Sequence, residues 1–190
     1  MYFKDISVET GRVIVRPALL KDYPGFVSGY KNCSPSQNRF DEGCFDTGFM
    51  TVEWYQKLLE RRETEANNDL SYMFNIFLKD NSTSIGYCDI TTHQREDLQY
   101  ARIGYTIHNT HWRKGYGTES VSAIIKIGFD ILNFHRLEAH INLDNPASSK
   151  VIQKAGFLFE SVRKGFILEE GVWTDNEVYY MNNPNWKLKG

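Results

Sequence analysis

Cysteine and proline are scarce in this chain, and neither sign of charge is in surplus. The 190 residues include only three cysteines and five prolines. Cys33, Cys44 and Cys88 are too few and too unevenly spaced for a disulfide framework or a structural zinc site, so reduced thiols in a reducing compartment are expected. Lys and Arg number 22 against 24 Asp and Glu, a formal net charge of -2. That balance offers no general attraction to nucleic acid or to an anionic membrane. No apolar run approaches a membrane span, and the opening M-Y-F-K-D-I-S-V-E-T lacks the apolar core of a signal peptide. A cytoplasmic protein is expected. The histidines form no ligand pattern, since His108 and His111, three residues apart across a strand end, are not a ligand pair with a known partner set, and no metal is expected. Internal repeats and low-complexity tracts are missing as well.

What is present suits a packed fold: 41% of residues are hydrophobic and 14% aromatic, enough for one domain over residues 1–190. Alternation and helical periodicity predict strands near Arg12 to Arg16, Ser71 to Lys79, Ser84 to Thr92, Ala101 to His108, Leu137 to Leu143, Phe157 to Leu168 and Val172 to Met181. Helices are predicted from Lys21, from Val52 to about Ala66, after Gly115, and from Ala147 to Ala155. Thr51 is placed to cap the second helix, whose Trp54, Tyr55, Leu58 and Leu59 form an apolar stripe. An early half of successive strands followed by interleaved helices makes a mixed α/β sheet.

The segment Ile107 to Glu119, I-H-N-T-H-W-R-K-G-Y-G-T-E, runs from an alternating strand through two glycines into a helix carrying Val121, Ile124, Ile125, Gly128, Ile131 and Leu132. That order aims unpaired N–H groups and the positive end of a helix dipole at an anion, and Gly115 and Gly117 have no Cβ to block its approach. A pyrophosphate is the guest such a loop suits. The spacing fits neither of the two commonest phosphate loops: Lys114 precedes Gly115, against the Walker order, and Ser120 stands where a dinucleotide fingerprint needs a third glycine. Glu138, about twenty residues on, keeps a dinucleotide oxidoreductase open as an outside alternative.

Downstream, L-E-A-H-I-N-L-D, N-P-A-S-S-K-V-I-Q-K-A-G-F and G-V-W-T-D-N-E-V-Y-Y follow W-R-K-G-Y-G-T-E, with V-I-V-R-P-A, S-I-G-Y-C-D-I and A-R-I-G-Y-T-I before it. In this order and spacing the chain resembles the GNAT superfamily of acyl-CoA-dependent N-acetyltransferases, in the RimJ and RimL branch that acetylates ribosomal-protein N-termini. The resemblance implies one mostly antiparallel mixed sheet of about seven strands flanked by about four helices, splayed between the fourth and fifth strands. It implies acetyl-CoA as acyl donor, held by the backbone of Arg113, Lys114, Gly115, Tyr116, Gly117 and Thr118, with main-chain bonds from Ile107 and His108 to its pantetheine arm. An amide near Ile107 would then stabilise the oxyanion formed as an amine attacks the thioester.

Two departures from the family pattern concern protons. Ile152 occupies the position where many members carry a tyrosine that protonates the leaving thiolate. The branch pattern Asn-x-x-Ser supplies Ser148 instead, with Asn145 orienting the cofactor or a water. A helix cap built from Asn145, Pro146 and Ser148 accounts for the same residues and is compatible with that role. Arg102 replaces a glutamate frequent in relatives, which leaves Asp89, His108, Glu138, His140 and Glu160 as titratable candidates for a base. The polar loop Asn32 to Gly48 borders the acceptor pocket in related enzymes, so Phe40 and Phe45, with Tyr87 and Trp173, are the candidate acceptor-binding residues. The expected activity is acetyl transfer to a primary amine by direct attack, a protein or peptide N-terminus among the acceptors. A small-amine acetyltransferase and a non-catalytic acyl-CoA-binding module stay open as alternatives.

Overall fold

Period-two alternation dominates the middle of the chain and gathers most of its apolar side chains into one core, while the strand Ser71–Leu78 is buried on both faces, with Ile76 and Phe77 both in the interior. The computed structural model describes residues 2–44, 46–80 and 83–187. Among these, eight strands run in the order β1-β2-β3-β4-β5-β6-β8-β7. They are β1 (Val8–Glu9), β2 (Val13–Arg16), β3 (Ser71–Leu78), β4 (Ser84–Gln94), β5 (Tyr100–Ile107), β6 (Arg136–Asn142), β7 (Leu158–Glu169) and β8 (Val172–Asn182). Every neighbouring pair is antiparallel except β5 and β6, which are parallel. The strand beyond the seven expected is β1, two residues long and too short to show a period. It moves the parallel junction from the fourth and fifth strands to the fifth and sixth.

Four α-helices cover the sheet: α1 (Tyr23–Lys31), α2 (Val52–Asn67), α3 (Tyr116–Lys126) and α4 (Pro146–Lys154). The side chains of Ile90, Ala101, Ile103, Leu137, Ala139 and Ile141 meet Val121, Ile124 and Ile127 of the α3 region and Ile152 of α4 in the main core. A smaller cluster of Ala18, Phe26, Met50 and Tyr55 lies under α1 and α2, joined by the partly buried Trp54, Leu58 and Leu59 of the apolar stripe. Thr51 caps α2, its hydroxyl oxygen accepting from the Trp54 amide at 3.2 Å. The periodicity that suggested one helix through Leu132 conceals a change of pitch. α3 ends at Lys126 and a π-helical turn spans Ile127–Ile131, where Leu132 N–H donates to Ile127 O at 2.9 Å. That turn keeps Ile127, Gly128 and Phe129 buried.

The feature that shapes the functional region is where β5 and β6 stop pairing. Their register runs Tyr100↔Arg136, Ala101↔Leu137, Arg102↔Glu138 and no further. At this fork the buried Glu138 accepts from Tyr100 Oη at 2.7 Å, Arg136 Nε at 2.8 Å and His140 Nε2 at 2.9 Å, with Arg163 of β7 at 3.3 Å. Burial by itself would raise this carboxyl's pKa, but the hydrogen bonds from His140, Tyr100 and Arg136 outweigh it and lower the value to about 2. The network fastens β5, β6 and β7 at the closed end of the gap.

Because the folded pKa lies below the ordinary one, the stabilisation from Glu138 is complete above about pH 4.5 and is lost as pH falls toward about 2. Glu138→Gln should therefore lower Tm at pH 7 by roughly 5–10 °C, from about 2–3 kcal/mol. The gap from the unsubstituted protein should close between pH 4.5 and 2, and thermal melts across that range check it. A gap independent of pH would show that Glu138 acts through packing alone.

Candidate active site

Ahead of α3 the backbone turns twice into the left-handed region, at Arg113 with φ 60° and at Gly115 with φ 83°. Gly115 occupies the N-cap position with no side-chain cap, so the first turn of α3 is left to other acceptors. The amides of Arg113, Lys114, Gly115, Tyr116, Gly117 and Thr118 find no acceptor among the described residues, and the first amide of the helix with a partner is Glu119, which donates to Gly115 O at 3.2 Å. Six consecutive donors in a left-handed nest at a helix N-terminus form an anion cradle.

The cradle is held from outside by residues that the motif did not single out. Glu119 accepts from Arg12 N–H at 2.6 Å, Arg12 Nε at 2.8 Å and Thr10 Oγ1 at 2.6 Å. Arg12 also donates from Nη1 to Lys114 O at 2.9 Å and lies 4.6 Å above the Tyr116 ring. Burial alone would raise the Glu119 pKa, but the bonds from Thr10 and Arg12 lower it. Glu119 therefore stays ionised near an anion site with its charge met by a guanidinium. A glutamate in a first helical turn is too common a feature to announce this pairing.

Beyond the fork, β5 has lost its neighbour on one side. His108 N–H donates to Ile85 O at 2.8 Å, and His108 O accepts from His111 at 2.9 Å, so the amide of His108 is committed within the protein. Of the main-chain groups expected to serve the pantetheine arm at His108, only the second lone pair of its carbonyl stays open to a further donor. Antiparallel bonding alternates along a strand, so the amides of Ile107 and Tyr105 turn away from β4 into the gap. The Ile107 carbonyl is occupied by Trp112 Nε1 at 2.6 Å, leaving its amide.

Across the gap, Asn145 caps α4 with Pro146 at its start, the Asn145 side chain accepting from Ser148 N–H at 3.2 Å. The Ser148 hydroxyl lies 2.8 Å from that of Tyr105 on β5. Burial raises the Tyr105 pKa to about 12 against the opposing bond to Ser148, so the phenol keeps its proton. Tyr105 was visible in the sequence only as an alternating strand residue, because its partner lies 43 positions away. Ile152 is fully buried in the core and carries no polar group to the gap.

The loop between α1 and α2 crosses this region as a strap. Asn109 donates to Ser34 O at 2.6 Å and to Asp41 Oδ2 at 3.0 Å, and accepts from Ser34 N–H at 2.7 Å. Arg39 makes two bonds to Asp144, at 2.6 and 2.9 Å, beside a longer one to Glu169. Cys33 and Cys44 are brought together as a bonded pair with Cα atoms 5.3 Å apart, which corrects the expectation of three separate thiols. Their spacing was uninformative because the strap turns back on itself. Cys88 alone is free and fully buried. The strap seals against Thr106, Ile107 and His108, leaving a cavity of about 10 Å³, near the volume one water needs. Burial, with the neighbouring His111, lowers the His108 pKa to about 4, so its ring is neutral there.

Of the candidate acceptor residues, Tyr87 donates to Glu42 of the strap, and burial together with that carboxylate raises its pKa. Phe40 is half-buried beneath the Arg39 guanidinium, 4.3 Å from its ring centroid. Trp173 stands at the tip of the β7–β8 hairpin, 63% exposed, beside the exposed Leu168 and Val172. Phe45 lies outside the described residues. Among the candidate bases, Glu160 is held by Arg136 at 2.7 Å, while Glu138 and His140 belong to the fork network. Among the described residues there is no cluster suited to a metal ion and no helix long and apolar enough to cross a membrane.

The model of the acetyltransferase (GNAT) domain matches residues 12–158. Over 137 residues the chain is 33% identical to the probable N-acetyltransferase YjcK of Bacillus subtilis (strain 168), covering 72% of this chain and 76% of that one. It is 24% identical over 148 residues to the ribosomal protein uS5-alanine N-acetyltransferase of Escherichia coli (strain K12), covering 78% and 73%. In fold it is similar to Mycobacterium smegmatis RimJ, solved in complex with CoA-disulfide, with TM-score 0.77 at 19% identity over 96% of this chain and 90% of that one. With the anion cradle and the forked sheet in the matched region, the chain belongs to the GNAT family of acyl-CoA-dependent N-acetyltransferases.

Proposed function

We propose that the protein transfers the acetyl group of acetyl-CoA to the α-amine of a protein or peptide N-terminus by direct attack. The observation that carries this reading is the arrangement of unsatisfied donors. The six amides of residues 113–118 suit a pyrophosphate, and the Ile107 amide faces the gap between β5 and β6. Acetyl-CoA supplies an activated thioester carbonyl when bound. The Ile107 N–H is placed to stabilise the carbonyl oxygen as it gains charge. Ser148, with Tyr105 behind it, can donate a proton to the departing sulfur. Asn145 sets the start of α4 and so the position of Ser148. A covalent acyl-enzyme through cysteine has no support, since burial raises the Cys88 pKa and keeps its thiol neutral in the core.

Charge and shape support an α-amine as the acceptor. An α-amine with a pKa near 8 is partly neutral at physiological pH, whereas a lysine amine is protonated about a thousandfold. A neutral acceptor tolerates Arg102 in place of an acid. The strap and the exposed Leu168, Val172 and Trp173 of the hairpin offer an extended polar and apolar surface along which an unfolded N-terminus can lie. The uS5-alanine acetyltransferase among the relatives is named for an acceptor of this class.

Acetyl-CoA at about a hundredfold its Kd should raise Tm by roughly 5–10 °C, from about 2.7 kcal/mol of linkage, with no rise from NAD. No rise with acetyl-CoA would sink the reading. Gly115→Ala, which forces a Cβ into a left-handed position, should cost about 1 kcal/mol of stability and weaken acetyl-CoA binding at least about tenfold, as calorimetric titration would record. Ser148→Ala and Tyr105→Phe should each lower kcat by roughly ten- to a hundredfold at unchanged acetyl-CoA affinity. Unchanged turnover in both would remove the hydroxyl pair from the mechanism. An acceptor panel should rank N-terminal peptides above spermidine and aminoglycosides, and the reverse order would assign the enzyme to small amines.

A further inference from the structure

Asp89 lies on β4 between Met73 of β3 and Gly104 of β5. Its carboxylate reaches across the sheet over Gly104, where a Cβ built on the glycine would come within 2.4 Å of Asp89 Oδ1. The missing Cβ at Gly104 leaves the room this carboxylate occupies, and any larger residue there would have to push it aside. That oxygen overlies β5 just where β5 has parted from β6, three residues before the Ile107 amide. Asp89 is only partly buried, and its hydrogen bond comes from Thr91 Oγ1 at 3.1 Å. Among the described residues no cation lies within ion-pair distance of it.

The neighbouring carboxylates are spoken for. Glu138 and Glu160 are held by Arg136, Asp144 and Glu169 by Arg39, and Glu42 by Tyr87. Resting on the transferase reading above, we propose that Asp89 is the general base of this enzyme, taking the proton of the attacking amine through one water. This places the base on β4, one strand away from the β5 position where the family resemblance puts a glutamate and this chain has Arg102. In the step, the amine lone pair forms the C–N bond at the thioester carbonyl and one N–H proton passes through the water to Asp89. The C–S bond then breaks, and the sulfur leaves with its electron pair and takes a proton from the Ser148 hydroxyl. Ser148 recovers that proton through Tyr105 and solvent as Asp89 releases its own. The sum is amine plus thioester giving amide plus thiol.

The groups around Asp89 agree with this role. On its own strand stand Tyr87, Thr91 and His93; on β5, Arg102 and Thr106; on β3, Ser71 and Asn75. α1 and the strap bring Tyr30 and Glu42 to Tyr87, and α2 brings Arg62. Burial raises the Asp89 pKa, while Arg102 and Thr91 oppose that rise. A carboxylate whose ionised form is disfavoured by folding costs stability above its ordinary pKa. Its charge therefore does not stabilise the fold.

The experiment uses the full chain with Asp89→Asn and Asp89→Glu, an N-terminal peptide as acceptor, and three readouts: acetyl-CoA binding, the pH profile of kcat and KM, and Tm without ligand at pH 7.5. Asp89→Asn should leave acetyl-CoA affinity unchanged, lower kcat by roughly a hundredfold or more with little change in KM, and erase the acidic limb of the kcat profile. Its Tm should equal or exceed that of the unsubstituted protein, and Asp89→Glu should recover part of the rate. An Asp89→Asn enzyme within threefold of the parent with the same pH profile overturns the base assignment alone. A Tm fall of several degrees with a matching loss of activity overturns it in favour of a structural role. A parent protein that binds no acetyl-CoA overturns the transferase reading and this inference with it.

Discussion

The candidate site depends on one interruption of backbone pairing, the point past Arg102 and Glu138 where β5 and β6 separate. A sheet normally satisfies its N–H and C=O groups by continuous ladders, and an unpaired interior edge is costly unless something else fills it. Here the edge is kept open by construction. The Glu138 network binds three strands at the closed end, and the packing of α3 against α4 holds the other end. The gap therefore has a fixed width, and its bare amides point at a fixed place.

The same logic governs the charges. Glu138, Glu119, Asp144 and Glu169 near the gap are each met by a guanidinium, whereas Asp89 has only the Thr91 hydroxyl, and the pairings tie separate elements together. Arg12 and Glu119 bind the cradle to β2, and Arg39 binds the strap to Asp144 and Glu169. These partly exposed pairs contribute modest energy on their own. Their value lies in position, since a cradle or an oxyanion donor displaced by an ångström loses most of its effect.

Much of the fold was legible in the sequence because it rests on short-range periodicity. The alternation of Ala101 to His108 and Leu137 to Leu143 located the two strands of the fork, and Thr51, Asn145 and Pro146 announced helix starts through local capping chemistry. Elements without a local signature were missed. β1 has two residues, and the π-helical turn preserves an apolar pattern that looks α-helical. For the site, the glycine pair marked the cradle because a left-handed φ demands glycine at 115. Tyr105 with Ser148, Arg12 with Glu119, and Cys33 with Cys44 were hidden because each pair is made by chain folding across many residues. Arg102 pointed to a missing acid, but only the register Asp89↔Gly104 shows which carboxylate lies nearby.

The central claim is that main-chain amides, rather than side chains, hold the donor and polarise its carbonyl. The most direct measurement is the amide nitrogen–proton spectrum of the 22.1 kDa chain titrated with acetyl-CoA. The account predicts large shifts and slowed solvent exchange at Arg113 to Thr118, Tyr105 and Ile107, with His108 little changed because its amide already donates to Ile85. Shifts that bypass residues 113–118 and 107 would contradict it.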